Sequence, residues 1–189
     1  METIEKDYAP QGATVTPNKD PSERKPKGHT IIICVSGGLG SGKSTQCAKI
    51  VSHFGFCHLN VGDLLEAEAE AGSEYSKMIK DFKKEGRLVP FDLVVKLLQQ
   101  AMQMSRNKKF LVDGFPWNVE NIAAAERIMK FEPDFVLFLD CSEGEMTRRL
   151  LNKNQGRVDD NIDTIQKRLQ VYFECTILVV NYYSTKGKV

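Results

Sequence analysis

The stretch Val35-Ser36-Gly37-Gly38-Leu39-Gly40-Ser41-Gly42-Lys43-Ser44-Thr45-Gln46 constrains this chain more than any other. It follows Thr30-Ile31-Ile32-Ile33, a β-branched run that reads as a buried strand, and precedes a helix-compatible segment from Thr45 to about Phe54. From Gly37 the residues satisfy G-x-x-x-x-G-K-[ST], the P-loop pattern, in the strand–loop–helix setting it requires. Glycines let the backbone turn so that successive N–H groups converge on one cluster of phosphate oxygens. The N-terminus of the following helix adds its partial positive charge at the same spot. Gly40, Ser41, Gly42, Lys43, Ser44 and Thr45 are therefore the candidate contacts to a nucleoside triphosphate. Lys43 would reach the outer phosphates, and the Ser44 hydroxyl would meet Mg²⁺. A ligand-free glycine turn is the bland alternative, and the Gly42-Lys43-Ser44 offset behind a buried strand argues against it.

Strand and helix patterns alternate after the loop. Phe56–Val61 reads as a second strand, and Leu64–Ala71 as a strong helix former with Asp63 near its N-cap. The helical pattern continues to Glu85, and Glu85–Pro90 reads as a turn. Phe91–Met104 carries Leu93, Val94, Leu97, Leu98 and Ala101 at helical spacing. Lys109–Pro116 reads as a buried strand ending in a polar turn, Val119–Lys130 as a helix, and Phe135–Asp140 as a fourth strand, apolar as far as Leu139. A helix beginning at Met146 breaks at 152–156, and a long helix runs from Ile162 to Val179-Val180. The expectation is an α/β fold, a doubly wound parallel sheet between two helical layers, with its ligand crevice at the strands' carboxyl ends. That crevice would bring Gly37–Lys43, Gly62-Asp63 and Asp113–Trp117 together.

At 189 residues the chain suffices for one such domain. Residues 1–28 are polar, hold four of the seven prolines and read as a disordered tail. The formal net charge of +1 argues against nucleic acid or a membrane surface as partner. No apolar run reaches the length of a membrane span, and the first residues resemble no secretory signal. The five cysteines are scattered, with Cys34 and Cys141 expected in core strands, and read as free thiols of a reducing compartment. These features point to a cytoplasmic protein; the nucleus as a second location, and a monomer acting on small-molecule nucleotides, are further expectations.

Asp113, closing a buried strand near the loop, could hold Mg²⁺ or its waters, or merely form a turn before Gly114. Arg148, Arg149, Arg157 and Arg168 cluster around the broken helix. Arg149 and Arg157 read as charges closing on polyphosphate, and Arg148 as part of a solvated face. His29, His53 and His58 show no ligand spacing and read as structural.

In order along the chain, the P-loop with Thr45-Gln46, His58–Leu65, Gly86–Pro90, Phe110–Pro116 and Gly156–Asn161 resemble the adenylate kinase superfamily of nucleoside monophosphate kinases. The resemblance covers nearly everything after residue 29. The short stretch Asn152–Arg157 and the end around Val180–Tyr183 are similar to the UMP-CMP kinase branch, and Asn121 matches an asparagine facing the pyrimidine there. The resemblance implies a kinase domain over 29–189, with a helical monophosphate-binding insert at 60–89 and a short lid at 152–162. It implies ATP and Mg²⁺ as cofactors and transfer of phosphate to UMP, CMP or dCMP. Catalytic roles fall on Lys43, Asp113, Arg149, Arg157 and Arg168, and metal contacts on Ser44 and Asp113. Acceptor contacts fall on positions 66, 87–89, 114–117, 121, 157 and 168, that is Glu66, Arg87, Leu88, Val89, Gly114, Phe115, Pro116, Trp117, Asn121, Arg157 and Arg168.

Several positions depart from that pattern. Glu66 and Trp117 stand where the family has arginines that clamp the acceptor phosphate, and Lys153 where a lid arginine contacts ATP. Leu39 replaces a proline, Ser44 replaces a glycine, and the given sequence stops at Val189, before the family's last strand and helix. Hydrogen bonds to a charged group contribute about 1.5–3 kcal/mol each, so losing two arginines predicts acceptor use weakened on the order of 10²- to 10⁴-fold. Two alternatives stay open at this point: an impaired ATP-binding paralogue acting as a nucleotide sensor, and a P-loop kinase with another acceptor.

Overall fold

The computed structural model describes residues 30–130, 132–152 and 162–189. The expected tail at 1–28 and all but the two end residues of the expected lid lie outside the described residues.

Four strands, β1 (Ile31–Ser36), β2 (Cys57–Asn60), β3 (Lys109–Asp113) and β4 (Phe135–Phe138), form one parallel sheet in the order β2-β3-β1-β4. The helices are α1 (Lys43–Phe54), α2 (Val61–Glu70), α3 (Ser76–Glu85), α4 (Phe91–Met104), α5 (Val119–Met129), α6 (Glu143–Asn152), α7 (Ile162–Val171) and α8 (Ile177–Thr185). Side chains alternate across a strand, so consecutive apolar residues of β1 serve opposite layers. Ile33 and Val35, with Leu111 of β3, pack on Cys47, Ile50 and Val51 of α1. Cys34, Val112 and Val136 face the other way, into a larger core with Leu98 of α4, Ile122 of α5 and Val179 of α8. Both faces are covered, which is why these strands read as continuous rather than alternating apolar runs. The doubly wound three-layer sheet expected from the sequence is the fold observed.

Several local boundaries differ for identifiable reasons. Helix α2 starts at Val61, directly after β2, because Asn60 caps it: the Asn60 Oδ1 accepts from the Asp63 backbone N–H at 3.0 Å. The cap is thus Asn60, and Asp63 lies in the first turn. The helical pattern running to Glu85 is two helices, broken where Gly72 takes a left-handed φ of 70° between α2 and α3. Helix α6 begins at Glu143, earlier than Met146, and β4 ends at Phe138, which leaves Cys141 outside the sheet and only half-buried. The long C-terminal helix is α7 and α8 joined by a π-helical turn, Tyr172–Thr176. At the β4 edge, the Val136 N–H donates to the Lys188 carbonyl at 2.6 Å, and Lys188 Nζ donates to the Pro133 carbonyl at 3.0 Å. The last described residues therefore lie along the start of that edge, instead of leaving it bare.

Parallel register carries three strand ends to one place. Asp113, the last residue of β3, stands beside Val35 of β1 and Asn60 of β2. The loop after β1, the start of α2 and the turn after β3 all open from this point.

Candidate active site

The loop between β1 and α1 owes its shape to glycine. Gly40 and Gly42 hold φ angles of 76° and 98°, a region in which side chains with a Cβ are strained. Close packing adds to this, since a Cβ on Gly40 would sit 2.9 Å from the Met146 carbonyl oxygen of α6. Tyr172, wholly enclosed beneath Gly38, forms the floor; burial and then the nearby Asp140 charge push its phenol above the usual range. The Lys43 ammonium folds over the loop and donates to the Gly37 and Gly38 carbonyls, each at 2.8 Å.

Asp113 is the hub beside the loop, with only 2 % of its surface exposed. Its Oδ2 accepts from Asn60 Nδ2 at 3.0 Å and from Ser44 Oγ at 3.4 Å, and the His58 Nε2 lies 3.4 Å away. The Cys47 thiol bonds to the same carboxylate. Burial first, then the Asp113 charge and this hydrogen bond, push that thiol up to about 12 against the opposing charge of Lys43. A buried charge needs this many donors to offset its desolvation.

A single cleft runs outward from these groups. Lys43, Ser44 and Asp113 line it together with Gly86, Arg87, Leu88 and Val89 after α3 and Gly114–Trp117 after β3. Arg168 of α7 also borders it. Among the described lining residues the charged side chains are Lys43, Lys83, Arg87, Arg168 and the carboxylate of Asp113. Four cations against one anion suit a polyanionic ligand.

The cleft thus brings together Lys43, Ser44, Asp113, Gly40, Arg87, Leu88, Val89, Gly114, Phe115, Pro116, Trp117 and Arg168. Other expected residues stand apart from its lining. Ser41 and Gly42 form the back of the loop, and Thr45 is exposed on α1. Asn121 is buried on α5, where its Oδ1 accepts from the Trp117 N–H at 3.1 Å and so fixes the turn that presents Trp117. Glu66 is not part of the cleft lining and pairs with Lys83, which is. Arg149 donates through Nη1 to the Gly40 carbonyl at 3.1 Å and through Nε to Glu145 at 2.6 Å. Arg148 is an exposed partner of Glu145, as its solvated-face reading expects. The two arginines hold the Glu145 carboxyl down at about 2. Lys153 and Arg157 lie outside the described residues.

Sequence reasoning missed His58, Asn60 and Lys83. His58 and Asn60 meet Asp113 across β2 and β3, 55 and 53 residues away in the chain, so no local spacing could flag them. For Lys83 a signal existed: it falls on the inward face of α3 with Ile79 and Phe82, where an apolar residue is the ordinary choice.

The site's residues fit a triphosphate with a divalent metal. The Ser36 and Ser41 hydroxyls are buried with no hydrogen-bond partner among the described residues, at the two shoulders of a loop that excludes Cβ atoms. One carboxylate with one serine hydroxyl is a hard-oxygen set, the kind that holds a divalent cation which keeps most of its waters. Cys47 and His58 lie within 4.8 Å of the same carboxylate, and as its hydrogen-bonding partners they orient it.

Comparison with known proteins agrees with this geometry. The chain is 58% identical over 158 residues to UMP-CMP kinase 3 of Oryza sativa subsp. japonica, which spans 84% of this chain and 75% of that protein. It is 51% identical over 172 residues to probable UMP-CMP kinase 1 of Arabidopsis thaliana, spanning 91% of this chain and 84% of that one. Adenylate kinase isoenzyme 1 of Bos taurus is 43% identical over 162 residues, 84% and 83% of the two chains. The family model described as adenylate kinase matches residues 35–188, which begin at the end of β1 and take in the loop, the Asp113 hub and both walls of the cleft. Loop, hub, cleft and sequence similarity agree: the chain belongs to the adenylate kinase family.

Proposed function

We propose that this chain transfers the γ-phosphoryl group of ATP to the phosphate of UMP or CMP, and of dCMP among deoxynucleotides, with Mg²⁺ as the metal. The carrying observation is the continuity of one cleft from Lys43, Ser44 and Asp113 to Arg87–Val89 and Trp117. A donor phosphate at one end and an acceptor at the other would meet in line, and positioning plus charge neutralisation supply most of the catalysis in such transfers. Pyrimidine preference is supported by the names of the plant relatives and by the polar Asn121 behind the acceptor wall.

The residues divide the work. The loop N–H groups and the α1 N-terminus would hold the β-phosphate, and the Lys43 ammonium would move from the loop carbonyls to the transferring group. Ser44 and Asp113 would hold Mg²⁺, which offsets charge between the outer phosphates. Arg149, next to Gly40, and Arg168, on the cleft wall, would add positive charge as phosphate transfers, together with Arg157 and Lys153 of the lid. Trp117 packs edge-on against Phe115, ring centroids 6.2 Å apart, and offers the acceptor an apolar wall. Water is kept from the transferring group by the apolar side chains Leu39, Leu65 and Leu150 along the cleft.

The proposal includes a monomer acting on free nucleotides, not nucleic acid, in the cytoplasm and nucleus. Its near-neutral charge and the wholly buried thiols of Cys34 and Cys47 on opposite faces of the sheet support that reading. No helix among the described residues is long and apolar enough to cross a membrane.

The test is ADP formation from Mg-ATP with UMP, CMP, dCMP and AMP in turn. Turnover favouring UMP and CMP is expected. ATP binding with no acceptor-dependent turnover would overturn the reading and favour a nucleotide sensor.

A further inference from the structure

An amphipathic helix packed on a core carries apolar residues at i, i+3 and i+4. On α3 that inward row is Ile79, Phe82 and Lys83. Ile79 is completely buried and Phe82 packs against the main core. Lys83 therefore brings a charge to a position built for an apolar side chain, and only 21 % of its side chain is exposed. A cation so placed is costly unless it is paired. Glu66, on the facing helix α2, supplies the pair while lying outside the cleft lining, whereas Lys83 is part of that lining. The pair is one-sided: Lys83 lines the cleft beside Gly86–Val89, whereas Glu66, half exposed, is not part of that lining.

Arg87 is the neighbouring cation, but it is 61 % exposed, bonded to Glu85 at 2.9 Å and stacked 4.3 Å over the Phe82 ring. Lys83 is the more enclosed of the two, and a charge in a less hydrated site interacts more strongly with an anion. We propose that Lys83 is the specificity-determining contact to the acceptor's phosphate, and that Glu66 is its counter-ion, which the phosphate must outcompete. The ligand class is a phosphomonoester dianion on a nucleoside, so the inference deepens the acceptor side of the proposed reaction and rests on that reading. Lysine suits the role because its ammonium is a point charge on a flexible stem that can turn from one oxygen to another.

A mere clamp between α2 and α3 would respond alike to loss of either partner; a competing counter-ion would not. The experiment is calorimetric titration of UMP and of uridine into the wild type, Lys83→Met and Glu66→Gln, with ATP affinity measured on each preparation. Lys83→Met should weaken UMP binding by at least about tenfold and leave uridine binding within about twofold. Glu66→Gln should tighten UMP binding several-fold, because the competitor is gone. If Lys83→Met loses ATP binding as well, Lys83→Gln, closer in polarity, takes its place. UMP binding unchanged in the lysine variant, or weakened alike in both variants, overturns the proposal. ADP formation by the wild type separates the two readings: bound UMP without ADP would defeat the proposed reaction while the titrations still decide Lys83. A wild type that binds no UMP defeats both.

Discussion

Asp113 gathers more of the site than any other side chain, because β3 ends on it between two parallel neighbours and Ser44, His58 and Asn60 all turn toward one oxygen. Lys43 is its electrostatic opposite, held on the Gly37 and Gly38 carbonyls of the glycine loop. Replacing Lys43 with Ala should reduce ATP affinity about 10- to 100-fold, the worth of one hydrogen bond to a charged group; calorimetry showing unchanged affinity would place the site elsewhere. Two buried thiols give the residue scale a pH dependence. Burial pushes the Cys47 thiol up to about 12 and raises Cys34 as well, so both stay protonated in the folded chain while an unfolded thiol ionises near 9. The folded state then binds more protons than the unfolded one above that value. The stability these thiols contribute is complete below pH 9 and is lost as pH rises toward 12. Urea unfolding from pH 8 upward should show that decline, less steep in Cys47→Ala; identical slopes would contradict it.

Among the elements, the loop and α6 approach each other backbone to backbone at Gly40 and Met146. Gly40→Ala would force a Cβ onto the Met146 carbonyl in a left-handed conformation, at a cost of roughly 1–3 kcal/mol. Its urea midpoint should fall, and ATP affinity with it, since the loop must shift to relieve the clash; full retention of both would show that α6 yields freely. Legibility in the sequence follows the same division. Strand–loop–helix order was readable because apolar runs and glycine spacing are local signals. The Asn60 cap was not, because Asp63 offers the same chemistry three residues on and only the end of β2 decides between them. The π-helical turn at Tyr172–Thr176 leaves the apolar pattern of a long helix intact and is invisible to periodicity. Glu66 could be read as a departure, but not that it faces Lys83, since helix rotation depends on how α2 and α3 pack.

For the whole molecule, the sheet order β2-β3-β1-β4 is the source of function: it puts the first loop and the β3 turn at adjacent carboxyl ends, with α2 and α3 forming the far wall. The order itself was legible only at the level of fold class, because alternation of strands and helices fixes a parallel sheet without naming neighbours. If one cleft takes both nucleotides end to end, it should also take a single compound that spans both sites. Titration with a compound joining adenosine and uridine through five phosphates tests it most directly. One molecule should bind per chain, at least about tenfold tighter than ATP alone, and Lys43→Ala should weaken it by about 10- to 100-fold. Binding no tighter than ATP would contradict it, since the uridine half would then have no place in the same cleft.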